Sequence, residues 1–203
     1  MTLMTVLRRT TLSIALLGTL AACGGSSNPL GNPPVVSNPL NDQGNQHLSF
    51  AYFEKCIDPI FLAKLQIQGS SATNTCAGAG CHDTVTGTGG AFRVVPAATP
   101  LDVSDPANTP DVIRASDMYK NFYSAQGMVV IGNTQESRLL FKPLLLGVFH
   151  GGGQVFPDQS DPNVILIKYW ITHPAPLGQD EFSSASDNMF TPADPKTGTC
   201  NTQ

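Results

Sequence analysis

The residues best equipped for chemistry stand together in Cys76-Ala77-Gly78-Ala79-Gly80-Cys81-His82. Two thiols lie a short loop apart, and an imidazole follows the second directly. A thiol can add across a vinyl group to give a thioether. Two such thiols can therefore bond a haem covalently, and the adjoining imidazole is then held where it can ligate iron. The usual spacing for this chemistry leaves two residues between the cysteines. Here there are four, all Ala or Gly, and small, φ-permissive residues let a longer loop bulge away from the ring. The same residues allow other chemistry. Cys76 and Cys81 could close a small disulfide loop, or join His82 in holding zinc, although no second close Cys/His pair completes a four-ligand site.

Several elements must position this stretch. Phe50, Phe53, Ile57, Ile60 and Phe61 recur at helical spacing behind a Ser49 N-cap, with Asp58-Pro59 either kinking that helix or starting another. Gly69 to Thr75 reads as a polar loop, and Ala91 to Val95 as a short β-prone run. Thr109-Pro110-Asp111 opens a second helix expected to end near Gln126-Gly127. Met128 to Ile131 reads as a brief buried strand, and Ser137 to Leu146 as helical until Pro143. Asp161-Pro162 opens a last helix, Val164 to Ile171, apolar enough to be buried on most sides. Before it, Phe149-His150-Gly151-Gly152-Gly153 can be neither helix nor ordinary strand. Its glycines allow the backbone to come close to something flat or bulky.

The order of helix, haem motif, helix, histidine loop and apolar helix resembles bacterial monohaem c-type cytochromes of the class-I-like kind found in exported and lipoprotein-anchored chains. The resemblance covers roughly His47 to His173. It implies a mainly α fold: a small cytochrome c-like helical domain with long loops around one haem c. It implies Cys76 and Cys81 as the covalent attachment points and His82 as the proximal iron ligand. In that family the distal ligand arrives from a loop well after the motif. His150 fits this, with Met128 as the alternative; Met118, Met189, His47 and His173 are weaker candidates. Phe50, Phe53, Phe92, Phe149 and Trp170 are candidate haem-pocket walls, although each could equally be plain core.

The N-terminus reads as a targeting segment. Arg8 and Arg9 supply charge, Thr11 to Leu20 an apolar stretch too short to span a bilayer, and Leu20-Ala21-Ala22-Cys23 resembles the bacterial lipoprotein box. That resemblance implies a signal peptide over 1–22 and lipid on Cys23. Residues 23–46 are Pro-, Asn- and Gly-rich and read as an extended linker. The domain is expected over 47–175, and 176–203 reads as an irregular C-terminal tail. With Cys23, Cys76 and Cys81 assigned, two of the five cysteines remain. In an exported protein Cys56 and Cys200 are candidates for one disulfide, the alternative being a buried free Cys56 and a loose Cys200.

The chain has 203 residues, 13% of them charged, with a formal net charge of −4. That allows one ordinary domain and offers no basic patch for nucleic acid. Imidazole at both axial positions leaves iron no open site, which favours one-electron transfer over catalysis. The expected protein is a membrane-tethered electron carrier, exported and lipid-anchored at the periplasmic face or cell surface, with protein redox partners. The alternatives are an exported lipoprotein binding or assembly module without haem, in which Cys76 and Cys81 form a structural disulfide, and an open-site haem of peroxidase type.

Overall fold

The computed structural model describes residues 46–185 and Cys200. The signal segment, Cys23, almost all of the linker and Met189 lie outside the described residues.

The chain enters through a buried Ser49, whose Oγ accepts a hydrogen bond from Tyr52 N at 3.1 Å. Helix α1 (Phe50–Tyr52) runs into a π-helical turn (Phe53–Ile57) and then into α2 (Asp58–Leu62). Pro59 is accommodated in the first turn of α2, where its missing N–H is not needed. A two-stranded antiparallel pair follows, β1 (Leu65–Gln66) with β2 (Thr73–Asn74). The expected polar loop before Cys76 is therefore partly the return arm of a hairpin.

The Thr109 cap and Pro110 start are present, but the single expected helix is two. α3 (Pro110–Arg114) stops at Ala115, and Ser116 caps α4 (Asp117–Gln126) by accepting from Tyr119 N. A serine oxygen that satisfies a new set of N–H groups allows the axis to change direction. α5 (Arg138–Phe141) ends before Pro143, and α6 (Pro162–Thr172) is capped by Asp161. Two expected strands do not form. Val94 makes only an isolated bridge to Asp83, and Val130 one to Asn133. The bridge partners Asp83 and Asn133 lie among turns and bends, so neither bridge extends into a ladder.

The described domain is thus partly helical, with strands limited to the hairpin and long stretches of turns and loops between the helices. Its core is an aromatic cluster between α6, the π-helical turn and α4. The Phe53 ring lies 5.4 Å from that of Trp170 and 5.5 Å from that of Phe122. Trp170 is fully buried and donates Nε1–H to Ser49 O at 3.0 Å, tying α6 to the start of α1. Phe53 and Trp170 belong to this core and do not line the cavity described below, which corrects their expected role as pocket walls; Phe50 lies in the same cluster.

The first residues of the expected tail are part of the domain. Glu181 is buried, accepts from Tyr119 Oη at 2.7 Å and Arg114 Nε at 2.9 Å, and lies 3.4 Å from His47 Nδ1. Farther on, Cys200 is disulfide-bonded to Cys56 of the π-helical turn, with Cα atoms 6.3 Å apart. Among the described residues no helix is long and apolar enough to cross a membrane.

Candidate functional site

The segment Cys76 to His82 folds as a closed loop. His82 N donates to Cys76 O at 3.0 Å and Cys81 N to Gly78 O at 2.9 Å, while Gly80 takes φ +80°. A left-handed residue there needs glycine. The four-residue insert is folded back on itself, and Ala77 N is anchored to Phe61 O at the end of α2. Both thiols are free and half-buried, and both line one cavity. The disulfide between Cys76 and Cys81 considered from the sequence is not formed: the turn that joins the two residues presents both side chains to the cavity. Asn74 Nδ2 lies 3.3 Å from Cys81 Sγ. Burial and the neighbouring Cys81 push the Cys76 thiol up to about 12.

His82 is held by its other ring nitrogen. Its Nδ1 lies 3.1 Å from Phe92 O. A carbonyl can only accept, so Nδ1 carries the proton and Nε2 keeps a free lone pair. Burial lowers the His82 pKa, with the cationic neighbours Arg93 and Lys142 adding to it and the Phe92 carbonyl opposing it. The neutral, ligating form is therefore favoured at neutral pH. Phe92 also packs on the His82 ring, with centroids 4.7 Å apart. Gly89 fits against the other side: a Cβ there would come within 2.5 Å of His82 Cε1 and 2.6 Å of Cys81 O.

His150 repeats the arrangement from a distant part of the chain. Its Nδ1 lies 2.7 Å from Gly153 O, and Gly153 N donates back to His150 O at 2.9 Å. The three glycines thus wrap the chain around the imidazole. Gly153 takes φ +76°, and a Cβ on it would meet Ile67 Cγ2 at 3.0 Å. The loop is pinned on two sides, by Gln68 N to Gln154 O at 2.8 Å and by Val155 N to Pro143 O at 2.9 Å.

These anchors bring the two imidazoles together. Their centroids are 6.3 Å apart and their planes differ by 12°. Two imidazoles bound to one metal from opposite sides, at about 2 Å each, would put their centroids roughly 6 Å apart. The hydrogen bonds from Nδ1 to Phe92 O and Gly153 O also fit metal ligation, in which a ligating histidine gives its other N–H to a carbonyl or carboxylate.

The cavity around them is 670 Å³, within the range for cofactor-sized organic groups. Its apolar walls include Phe61, Ile67, Phe92, Leu139, Val155 and Phe156. Phe149 also lines it but is 86% exposed, so it stands at the mouth and does not seal the ring. Met128 lines the same cavity. Met118 is buried in the core, and His173 stacks on Tyr169 at 3.8 Å. Among the described residues no group of three or more His, Cys, Asp or Glu could hold a metal ion. The expected donor set, two imidazoles supplemented by the four nitrogens of a porphyrin, does not call for one. The residues present fit a haem: two free thiols and two imidazoles, each with Nδ1 on a backbone carbonyl, line one cavity with apolar walls.

Phe61 and Phe156 were not singled out from the sequence. Phe61 shares the helical repeat of the core residues, and Phe156 lies in an irregular segment with no periodic signal. Gly89 likewise carries no local mark beyond its Gly/Thr-rich surroundings.

The chain matches no protein-family model, no curated protein and no solved structure.

Proposed function

We propose that this chain is a membrane-tethered electron-transfer c-type cytochrome with a small cytochrome c-like domain. One haem is bound through thioethers to Cys76 and Cys81. His82 is the proximal iron ligand and His150 the distal one. The observation that carries this reading is the pair of facing imidazoles, 6.3 Å apart, each with Nδ1 committed to a backbone carbonyl. Free Nε2 atoms on both sides of an apolar cavity lined by two free thiols are the donors that covalent bis-histidine haem requires.

The bound group supplies a one-electron couple. The protein's share is to hold both imidazoles, limit water and set the potential. With both axial positions filled, iron offers no site to a substrate, which favours electron transfer over peroxidase-type chemistry. Histidine in place of methionine as distal ligand gives a lower potential. The reading includes export and a lipid anchor on Cys23, which would hold the domain near membrane or periplasmic redox partners.

The test is a pyridine haemochrome spectrum of protein made in a host with cytochrome c maturation. One covalently retained haem per chain is expected, lost when Cys76 and Cys81 are both changed to Ala. Folded wild-type protein that stays colourless would refute the proposal and leave the haem-free lipoprotein module.

A further inference from the structure

The charges around the cavity are one-sided. The chain carries more acidic than basic residues, 15 against 11, yet no Asp or Glu lines the cavity. The charged residues in its wall are Arg138 and Lys142. They are four positions apart, Arg138 beginning α5 and Lys142 capping its end, so they lie on one face of the same turn. Leu139 and Leu140 between them are buried, which fixes how that turn is presented. Both cationic side chains are exposed, and among the described residues neither has a hydrogen-bond or carboxylate partner. Elsewhere Arg114 pairs with Glu181 and Lys120 with Asp117.

We propose that Arg138 and Lys142 form a carboxylate-binding subsite that takes the acidic edge of the ligand in this cavity. A pocket with apolar walls, no carboxylate and two unpaired cations on one rim suits a flat apolar body ending in two acids. This rests on the haem reading above, since a haem presents two propionates on one edge. The subsite also fixes the orientation of the ring: its propionate edge lies toward α5 and its vinyl groups toward Cys76 and Cys81. Arg138 offers a planar fork to one carboxylate, and Lys142 a single ammonium to the other. Their aliphatic stems cover the apolar rim next to Leu139.

The test compares matured wild type with R138Q, K142Q and the double variant. Because haem is held by thioethers, all four should keep a covalent, low-spin spectrum. The readout is the reduction potential followed against pH. Without its cation, a propionate keeps an uncompensated charge that favours ferric iron, so the potential at neutral pH falls. The pH step due to propionate ionisation should move upward, by roughly tenfold in proton affinity for each cation lost. R138K and K142R should restore both values. K64Q removes an exposed cation outside the cavity and should change neither. If the double variant fails to mature, the single variants carry the same readings. An unchanged potential and pH step in the variants overturns the subsite while leaving haem binding intact, as does an equal drop in K64Q. Colourless wild type overturns the haem reading and the subsite with it.

Discussion

At the scale of single residues, the site depends on two hydrogen bonds and one missing side chain. His82 and His150 each face the cavity because a backbone carbonyl holds Nδ1, at 3.1 and 2.7 Å. In the matured protein, His150→Ala should turn the low-spin spectrum toward high spin and let carbon monoxide or cyanide bind. A low-spin spectrum unchanged in that variant would assign the distal position to Met128, which lines the same cavity. Gly89 packs against the other imidazole, that of His82. A methyl group at 2.5 Å from the His82 ring and 2.6 Å from Cys81 O cannot be accommodated without moving backbone. Gly89→Ala should cost about 1–3 kcal/mol in urea unfolding and reduce the yield of matured haem protein.

At the scale of elements, the π-helical turn and α2 carry an unusual pair of buried carboxylates. Glu54 is 5% exposed and Asp58 2% exposed. Glu54 Oε2 accepts from Leu101 N at 2.7 Å, and Asp58 Oδ1 from Asn121 Nδ2 at 2.9 Å. Each acid therefore ties the helix to what packs on it, one to the loop at Leu101 and one to α4. Asn121 extends that tie to Val95 through both its oxygen and its nitrogen. Burial pushes Glu54 up to about 7 and Asp58 up to about 6, and the hydrogen bonds only partly oppose it.

Both folded values lie above the ordinary carboxylate range, so between about pH 4 and pH 7 the folded state holds protons that the unfolded chain has released. Stability must fall as pH rises through that window, by about 3 kcal/mol for each carboxylate. Denaturant unfolding at pH 5 and pH 8 should show the wild type more stable at pH 5. Asp58→Asn and Glu54→Gln should each flatten the difference. Glu181 acts with the opposite sign. Burial raises its pKa, but Arg114 and Tyr119 outweigh that and hold it below the usual range. Its contribution is present above the ordinary carboxylate pKa and is lost in acid below it.

For the whole molecule, the disulfide between Cys56 and Cys200 joins positions 144 residues apart. It ties Cys200 to the helical segment that leads to the Cys76–His82 loop. Closing so long a loop restricts the unfolded chain strongly, and removing such a bridge typically costs about 2–5 kcal/mol. Cys56→Ser with Cys200→Ser should lower the melting temperature by several degrees for each kcal/mol lost, and scanning calorimetry would measure it. Non-reducing peptide mapping should recover the two segments as one species. Equal melting of the variant and the wild type would show that the bridge does not constrain the fold. The bridge starts from the π-helical turn and the Glu181 cluster joins α3, α4 and the entry to α1, whereas the cavity is lined mostly by the hairpin, the Cys76–His82 loop, α5 and the His150 loop, with Phe61 of α2 and Ile167 of α6 shared between core and cavity.

The sequence by itself determined what is local. Helix starts at Ser49, Thr109 and Asp161 are legible because a cap is satisfied by N–H groups two or three residues on. The two thiols and the following histidine are legible for the same reason, as is the need for glycine after His150. The break at Ser116 could have been read from the same chemistry, but the apolar repeat running through it masked the second cap. Other features depended on which distant segments pack together. Ala91 to Val95 made only the Val94 bridge because its partner Asp83 lies among turns, whereas Leu65–Gln66 found a partner strand in Thr73–Asn74. Phe53 and Phe61 share one helical repeat, yet Phe53 packs on Trp170 in the core while Phe61 reaches the cavity wall. Periodicity marks a residue as inward-facing but does not say what it will face. The opposition of His82 and His150 is the clearest case. Each imidazole is oriented by its own carbonyl, but their 6.3 Å separation comes from Gln68 and Pro143 pinning the second loop across from the first. Contacts between segments so far apart in the chain leave no mark in the local spacing of residues, and only the packed structure brings them together.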